Sequence, residues 1–235
     1  MNTYKGSVVE TLIESRVIRF FVANQNDSIQ QYHFKGEFYE REELALMSRY
    51  WRPDRVYADI GTNVGNHTLF VSKFLDCSKI IVFEPNPPAL AVLRLNLLLN
   101  HCDQVDTRYL GLALGAEEGL ASLFPDPKHP DNLGGTSAVL APNGDTVVIP
   151  GDEVLRNESV GFLKIDIEGM EMEVLKGLEK TISRWRPNIF IEVRHPYKPA
   201  FQDWMRSHFY EVAGTYDRYT GMSNFMIVPV SAAAR

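Results

Sequence analysis

An acid and two glycines stand at set spacing in the run Val56-Tyr57-Ala58-Asp59-Ile60-Gly61-Thr62-Asn63-Val64-Gly65-Asn66-His67. A short apolar strand ends at Asp59, a glycine turn follows, and a helix opens after it. Gly61 and Gly65 let the backbone turn tightly and approach a ligand, and the helix-opening N–H groups then face that ligand. The spacing is Asp-x-Gly-x-x-x-Gly. It is not the Gly-x-Gly-x-x-Gly of dinucleotide folds, and no Gly-Lys-Ser/Thr follows as in a P-loop. The negative charge of Asp59 suits a ligand with a positive amino or sulfonium group and would repel a pyrophosphate. A plain strand-to-helix turn is the alternative. Thr62, Asn63 and Asn66 belong to the same loop, and His67, at the helix opening, reads as its support.

The next acid is Glu84 in Phe83-Glu84-Pro85, roughly 20 residues after the first glycine, where a carboxylate accepts hydrogen bonds from ribose hydroxyls. A solvated strand end is the blander reading. Further on comes Phe162-Leu163-Lys164-Ile165-Asp166-Ile167-Glu168-Gly169. Alternation along a strand puts Lys164, Asp166 and Glu168 on one face. Charges on a central parallel strand are costly without pairing or a polar cleft. Either Lys164 and Asp166 tether elements, or a reaction pocket lies at this strand's carboxyl end, and both can hold. One strand later, Glu192 and His195 would sit beside Asp166, with His195 as a base active near neutral pH or as a surface residue.

Alternating strands and helices must carry these residues. The pattern predicts strands at 56–60, 79–83, 107–112, 162–167, 188–193 and 225–230, with helices at 68–75, 89–100, 170–185 and 199–207. Strand–helix alternation with short links means parallel pairing and right-handed crossovers. Ligands then bind beyond the carboxyl ends of the strands. Ahead of this unit, residues 17–23 and 29–34 read as a β-hairpin around the turn-rich 24–27, and 40–50 as a helix ended by Pro53. Residues 1–52 are thus a strand–helix extension and 53–235 the main domain. The proline-rich span at about 115–161 interrupts the rhythm as an insertion, with β-prone pieces at 120–124 and 146–149. Residues 231–235 read as a frayed tail.

At 235 residues and 45% hydrophobic content the chain is long enough for one α/β domain with a full core. A net charge of −6 gives no general attraction to nucleic acid or anionic membrane. Cys77 and Cys102 form no CxxC pair, which fits reduced thiols and a cytoplasmic setting. No signal pattern or membrane span is read, and a homo-oligomer stays open.

Asp59 to Thr68, Phe83-Glu84-Pro85, and Lys164-Ile165-Asp166-Ile167-Glu168-Gly169 followed by Glu173-Val174-Leu175 together resemble the FkbM family of methyltransferases. The helix before Pro53 and Gly134-Gly135-Thr136-Ser137 add to the resemblance, which covers roughly residues 36–195. It implies a Rossmann-like class I methyltransferase fold: a doubly wound, mostly parallel seven-stranded sheet with its last strand antiparallel. It also implies S-adenosylmethionine as cofactor and methylation of a hydroxyl on a sugar or secondary metabolite, so a small-molecule or glycan acceptor. Threonine at position 62 replaces the family's usual small residue.

On this reading Asp59, Gly61, Thr62, Asn63, Gly65, Asn66 and His67 surround the cofactor's amino-acid end, and Glu84 and Pro85 its ribose. Asp166 leads as the catalytic or acceptor-positioning group, with Glu168, Glu192 and His195 completing the pocket and Lys164 holding Asp166 ionised. No metal is expected: Asp166 and Glu168 have no third oxygen ligand at the needed spacing. Two rival readings are a nicotinamide-dependent oxidoreductase, against which the missing dinucleotide glycines speak, and a non-catalytic binding module, which would seal Asp166 away from any cleft.

Overall fold

The computed structural model describes residues 5–217 and 220–231; the expected tail therefore lies outside the described residues beyond position 231. The chain opens with an antiparallel hairpin of β1 (Ser7–Ile13) and β2 (Arg16–Val22). Its two-residue turn is Glu14-Ser15, both at positive φ, 48° and 65°, the backbone such a turn requires. The predicted hairpin is therefore displaced. The turn-rich residues 24–27 instead lead into a helix, α1 (Gln30–Phe34), where a strand was expected. Asp27 makes the difference: its carboxylate accepts from the N–H groups of Ile29 (3.0 Å) and Gln30 (2.8 Å), which satisfies the opening turn of a helix.

Next come α2 (Arg41–Arg49), β3 (Val56–Ile60), α3 (Asn66–Phe74), β4 (Ile80–Phe83), α4 (Pro87–Leu99) and β5 (Val105–Asp106). The strand predicted at 107–112 is a turn, because Asp106 accepts from both the backbone and the guanidinium of Arg108 and folds the chain back. The insertion follows as β6 (Leu112–Gly115), β7 (Gly119–Phe124), β8 (Ser137–Leu140) and β9 (Thr146–Pro150), a separate four-stranded sheet in the order β6-β9-β7-β8. The chain continues with α5 (Asp152–Leu155), β10 (Val160–Ile165), α6 (Glu171–Gly177), α7 (Glu179–Trp185), β11 (Asn188–Arg194), α8 (Lys198–Ser207), β12 (Tyr210–Tyr216) and β13 (Met222–Pro229). The helix expected at 170–185 is broken at Leu178. Gly177 lies so close to the Gly115 carbonyl that a Cβ there would stand 1.9 Å from its oxygen, and the two halves separate at this packing point.

The main sheet runs β12-β13-β11-β10-β3-β4-β5. It is mixed: the pairings from β11 to β5 are parallel, while β13 is antiparallel to both β11 and β12. The edge strand β12 went unread in the sequence; its largely exposed pattern carries little signal. β3, β4 and β10 are buried at every position, as strands covered on both faces must be. Ala58, Ile60, Leu163, Ile165 and Ile191 face Val174, Leu175 and Ile182 on one side. Tyr57, Val82, Phe162 and Phe190 face Met47 and Val71 on the other. The β1–β2 hairpin caps α3 and α4 through Ile18, Phe20, Leu69 and Leu93. All the central strands thus end at one edge, where the site forms.

Candidate active site

The loop after β3 is fixed by its own backbone. Gly61 has φ +79°, and a Cβ there would stand 1.9 Å from the Asp166 carbonyl oxygen, so only glycine lets β3 and β10 meet at their ends. Asn63 also takes a left-handed conformation, φ +53°. Its N–H donates to Glu84 Oε2 (2.8 Å), and the N–H of Asn86 donates to Glu84 Oε1 (2.8 Å). Glu84 therefore closes the loop from the tip of β4. Burial pushes its carboxyl up to about 7, against the pull of those two N–H groups and of Lys164.

Asp59 is fully buried and does not line the cavity. It accepts from Thr68 Oγ1 (2.6 Å) and stands 3.2 Å from Lys164 Nζ. The expected direct contact with a ligand is corrected accordingly: Asp59 points along the sheet row toward its register partner Lys164. Lys164 is itself 2% exposed, donates to the Gly61 carbonyl (2.7 Å) and lies 3.3 Å from Asp166 Oδ2. Burial works against its charge, but Asp166 and Asp59 outweigh it and hold its pKa above the ordinary lysine value. The expected tether is present, since Lys164 ties β3 to β10, and Asp166, 37% exposed at its side chain, lines an open cleft at the carboxyl end of the strand.

That cleft is a cavity of about 770 Å³ beyond the carboxyl ends of β3, β4, β10 and β11, within the range of small-molecule sites. Gly61, Asn63, Glu84, Pro85 and Asn86 line one end, and Asp166, Glu168, Glu192 and Arg194 the other. The second group follows from register. β10 and β11 pair up to Ile165 with Ile191, so Asp166 and Glu168, just past the end of β10, emerge beside the last residues of β11, among them Glu192 and Arg194. Arg194 donates to Glu168 (2.6 Å). Burial raises Glu168, partly offset by that bond. Glu192 is 6% exposed. Burial, then the charges of Asp166, Glu168, Glu40 and Glu171, push its carboxyl up to about 10.

The other sequence candidates act as support or lie elsewhere. Thr62 donates to the Asp59 carbonyl, and Gly65 turns the chain into α3 at φ +89°. The Asn66 carboxamide accepts from the Tyr39 N–H and donates to the Tyr39 carbonyl, fastening the N-terminal segment to the loop. His67 is buried 3.5 Å from Glu40, with burial holding its pKa well below the usual histidine value. None of these four residues lines the cavity. His195 is the second correction. The alternation that turns Glu192 and Arg194 inward turns it outward, into an exposed 3-10 turn beside Ser223.

Two walls escaped the sequence reading. Glu40, at the mouth of α2 with a left-handed backbone (φ +56°), lines the cavity beside Tyr39. The insertion contributes Asp126, Asn132 and the Leu133–Gly135 turn, which bridges to the N-terminal segment where the Leu133 N–H donates to Asp27 Oδ2 (2.9 Å). Arg194 was legible through the strand alternation that singled out Glu192. Among the described residues no group of three or more potential ligands gathers to hold a metal ion, and no helix is long and apolar enough to cross a membrane.

Residues 59–213 match the Methyltransferase FkbM domain. The chain belongs to the FkbM methyltransferase family. The nicotinamide reading falls with that finding. Among curated relatives, the hexuronic acid methyltransferase AglP of Haloferax volcanii is 27% identical over 147 residues, 61% of this chain and 58% of that protein. Methyltransferase 1 of Beauveria bassiana is 26% identical over 60% of this chain and 65% of its own length. The match thus spans about three fifths of the length of each of these two relatives. Solved structures share the fold: methyltransferase FkbM of Methylobacillus flagellatus (TM-score 0.50, 17% identity, 87% of this chain and 56% of that one) and a precorrin-6y methyltransferase of Geobacter metallireducens (TM-score 0.51, 16% identity, 83% and 91%).

Proposed function

We propose that this member of the family is an S-adenosylmethionine-dependent O-methyltransferase that acts on a hydroxyl of a small-molecule or glycan acceptor. The observation that carries the reading is the single cavity with Asn63 and Glu84 at one end and Asp166, gripped by Lys164, at the other.

The residues at the first end fit the cofactor. Glu84 presents a buried carboxylate whose remaining lone pairs suit ribose hydroxyls, and Asn63 Oδ1 is buried without a hydrogen-bond partner beside the cavity. When bound, S-adenosylmethionine supplies the methyl group, the carbon–sulfur bonding electrons staying on sulfur. Asp166 accepts the proton that the acceptor hydroxyl loses as its oxygen takes the methyl. A positioned base of this kind contributes about 10²–10⁴-fold, and holding both reactants in line contributes up to about 7–11 kcal/mol in the best intramolecular models. Lys164 keeps the Asp166 carboxylate aimed, and Asp59 keeps Lys164 in place. The turn at Leu133–Gly135 and the Tyr39–Glu40 segment wall the cavity and narrow its access to water. A sugar acceptor draws support from AglP, named for methylating a hexuronic acid. A cytoplasmic site of action fits the reduced thiols Cys77 and Cys102.

Titration calorimetry with S-adenosylmethionine and S-adenosylhomocysteine, with NADH as control, tests the reading first. Uptake of the two sulfur nucleosides and not of NADH is expected. Well-folded protein that takes up neither would remove it. Transfer of radiolabelled methyl to hexuronic acids and neutral sugars then tests the acceptor class.

A further inference from the structure

Glu192 stands apart from the other acids of the cavity. Asp166 has Lys164 at 3.3 Å, and Glu168 has Arg194 at 2.6 Å. Glu40 lies 3.5 Å from His67. Glu192 lines the same cavity, is 6% exposed, and has no hydrogen-bond or ion-pair partner among the described residues. The charged groups around it are Asp166 and Glu168 from the end of β10, Glu171 from α6, Glu40 ahead of α2, and Arg194 on its own strand. Arg194 already serves Glu168, and Lys164 serves Asp59 and Asp166. A buried carboxylate without a cation is prohibitively expensive, and the group takes a proton instead. A protonated carboxyl has one O–H to donate, and the open space in front of Glu192 is the cavity.

We propose that Glu192 is a neutral carboxylic acid that donates a hydrogen bond to an acceptor oxygen neighbouring the hydroxyl that Asp166 deprotonates, so that the site selects acceptors with two adjacent oxygens over those with an amine at the second position. The inference rests on the methyltransferase reading above. Its geometry comes from the strand ends: Ile165, the last residue of β10, pairs with Ile191, so Asp166 leaves β10 beside Glu192, and both line the cavity. Neighbouring strands run about 4.8 Å apart, close enough for two carboxyls from their ends to reach different oxygens of one small acceptor. Glu192 keeps its proton throughout turnover: the proton lost by the acceptor goes to Asp166, and Glu192 only orients the ring. A cationic amine in this position would find a neutral carboxyl where it needs an anion.

Calorimetry of wild type, Glu192→Gln and Glu192→Met with S-adenosylhomocysteine comes first. Equal affinities and intact thermal transitions show that the fold and the cofactor end are untouched; failure of the wild type itself would strike the methyltransferase reading, not this one. Infrared difference spectra of wild type minus Glu192→Gln at pH 7.5 are expected to show a neutral carboxyl band. A carboxylate band instead would overturn the proposal. Protein saturated with S-adenosylhomocysteine is then titrated with methyl β-D-glucopyranoside, its monodeoxy analogues and methyl glucosaminide as the amine probe. Glu192→Gln, which still donates, should bind the diol within about threefold of wild type. Glu192→Met should lose about tenfold, the worth of one neutral hydrogen bond, and no further loss should follow on removing the matching hydroxyl from the sugar. Diol binding unchanged in Glu192→Met, an amine preferred over the diol, or no diol binding to the loaded wild type would each overturn it.

Discussion

Lys164 Nζ lies 3.3 Å from the Asp166 carboxylate, and that contact joins the buried frame of the sheet to the open cavity. One partner is sealed at 2% exposure and the other reaches solvent at 37%. The pair therefore forms an anchored arm, sealed at its base and open to the cavity at its tip.

Asp166→Asn should leave S-adenosylhomocysteine affinity within about threefold and lower turnover by about 10²–10⁴-fold, since only the proton acceptor is lost. His195→Ala, away from the cavity, should leave turnover within about twofold. Steady-state rates on one radiolabelled acceptor check both. Full turnover in the Asn variant would take Asp166 out of the mechanism.

Lys164→Met should be far more damaging to the fold than Asp166→Asn. Removing the cation strands Asp59 in the interior, and breaking a buried pair from one side costs about 3–5 kcal/mol. Urea denaturation reads the difference. A Lys164→Met midpoint equal to that of wild type would show that Asp59 finds compensation elsewhere.

On the proposed function, Glu84 should give cofactor binding a pH dependence. Its folded-state pKa of about 7 lies above the ordinary 4.5, so it gains a proton as pH falls through 7 and loses acceptor capacity. Affinity for S-adenosylhomocysteine should rise between pH 6 and pH 8 and level off above. A group that titrates at about 7 changes its ionised fraction about tenfold between pH 6 and pH 8, and since a hydrogen bond to a charged group is worth about 1.5–3 kcal/mol, the affinity change should approach but not exceed about tenfold. Calorimetry across that range checks it, and a flat profile would show that the ribose is held by other groups.

Glu192 sets the opposite slope in stability. Its folded pKa of about 10 also exceeds 4.5, so the folded protein holds the proton more tightly than the unfolded chain. Its contribution is full below pH 4.5 and is lost as pH rises toward 10. Glu192→Gln should therefore gain stability relative to wild type from pH 6 to pH 9. A constant difference in urea midpoints across that window would mean that Glu192 ionises normally.

Much of the site was readable because it sits where periodicity is strongest. The runs ending at Asp59, Phe83 and Ile165 are short, apolar and followed by helices; alternation placed Lys164, Asp166 and Glu168 on one face, and adjacency of the next strand brought Glu192 beside Asp166. What escaped was held by single contacts across long sequence distances. Nothing local in Glu40 announces that it closes the cavity. Asp27 looked like part of a hairpin turn, because its capping bonds to Ile29 and Gln30 are visible only once the helix has formed. Asp59 kept its expected place and changed its partner: register with Lys164 outweighed the pull of the loop. His195 failed for the reason that Glu192 succeeded, one step along the same alternation.

The bond from the Leu133 N–H to Asp27 spans 106 positions of sequence. It fastens the insertion to a segment that precedes residue 59, where the family match begins. Glu40 belongs to that same preceding segment. Similarity and enclosure therefore have different borders here. A protein trimmed to the matched span would keep the glycine turn, Glu84 and Asp166, yet it would be a vessel missing one side, with its contents open to bulk water.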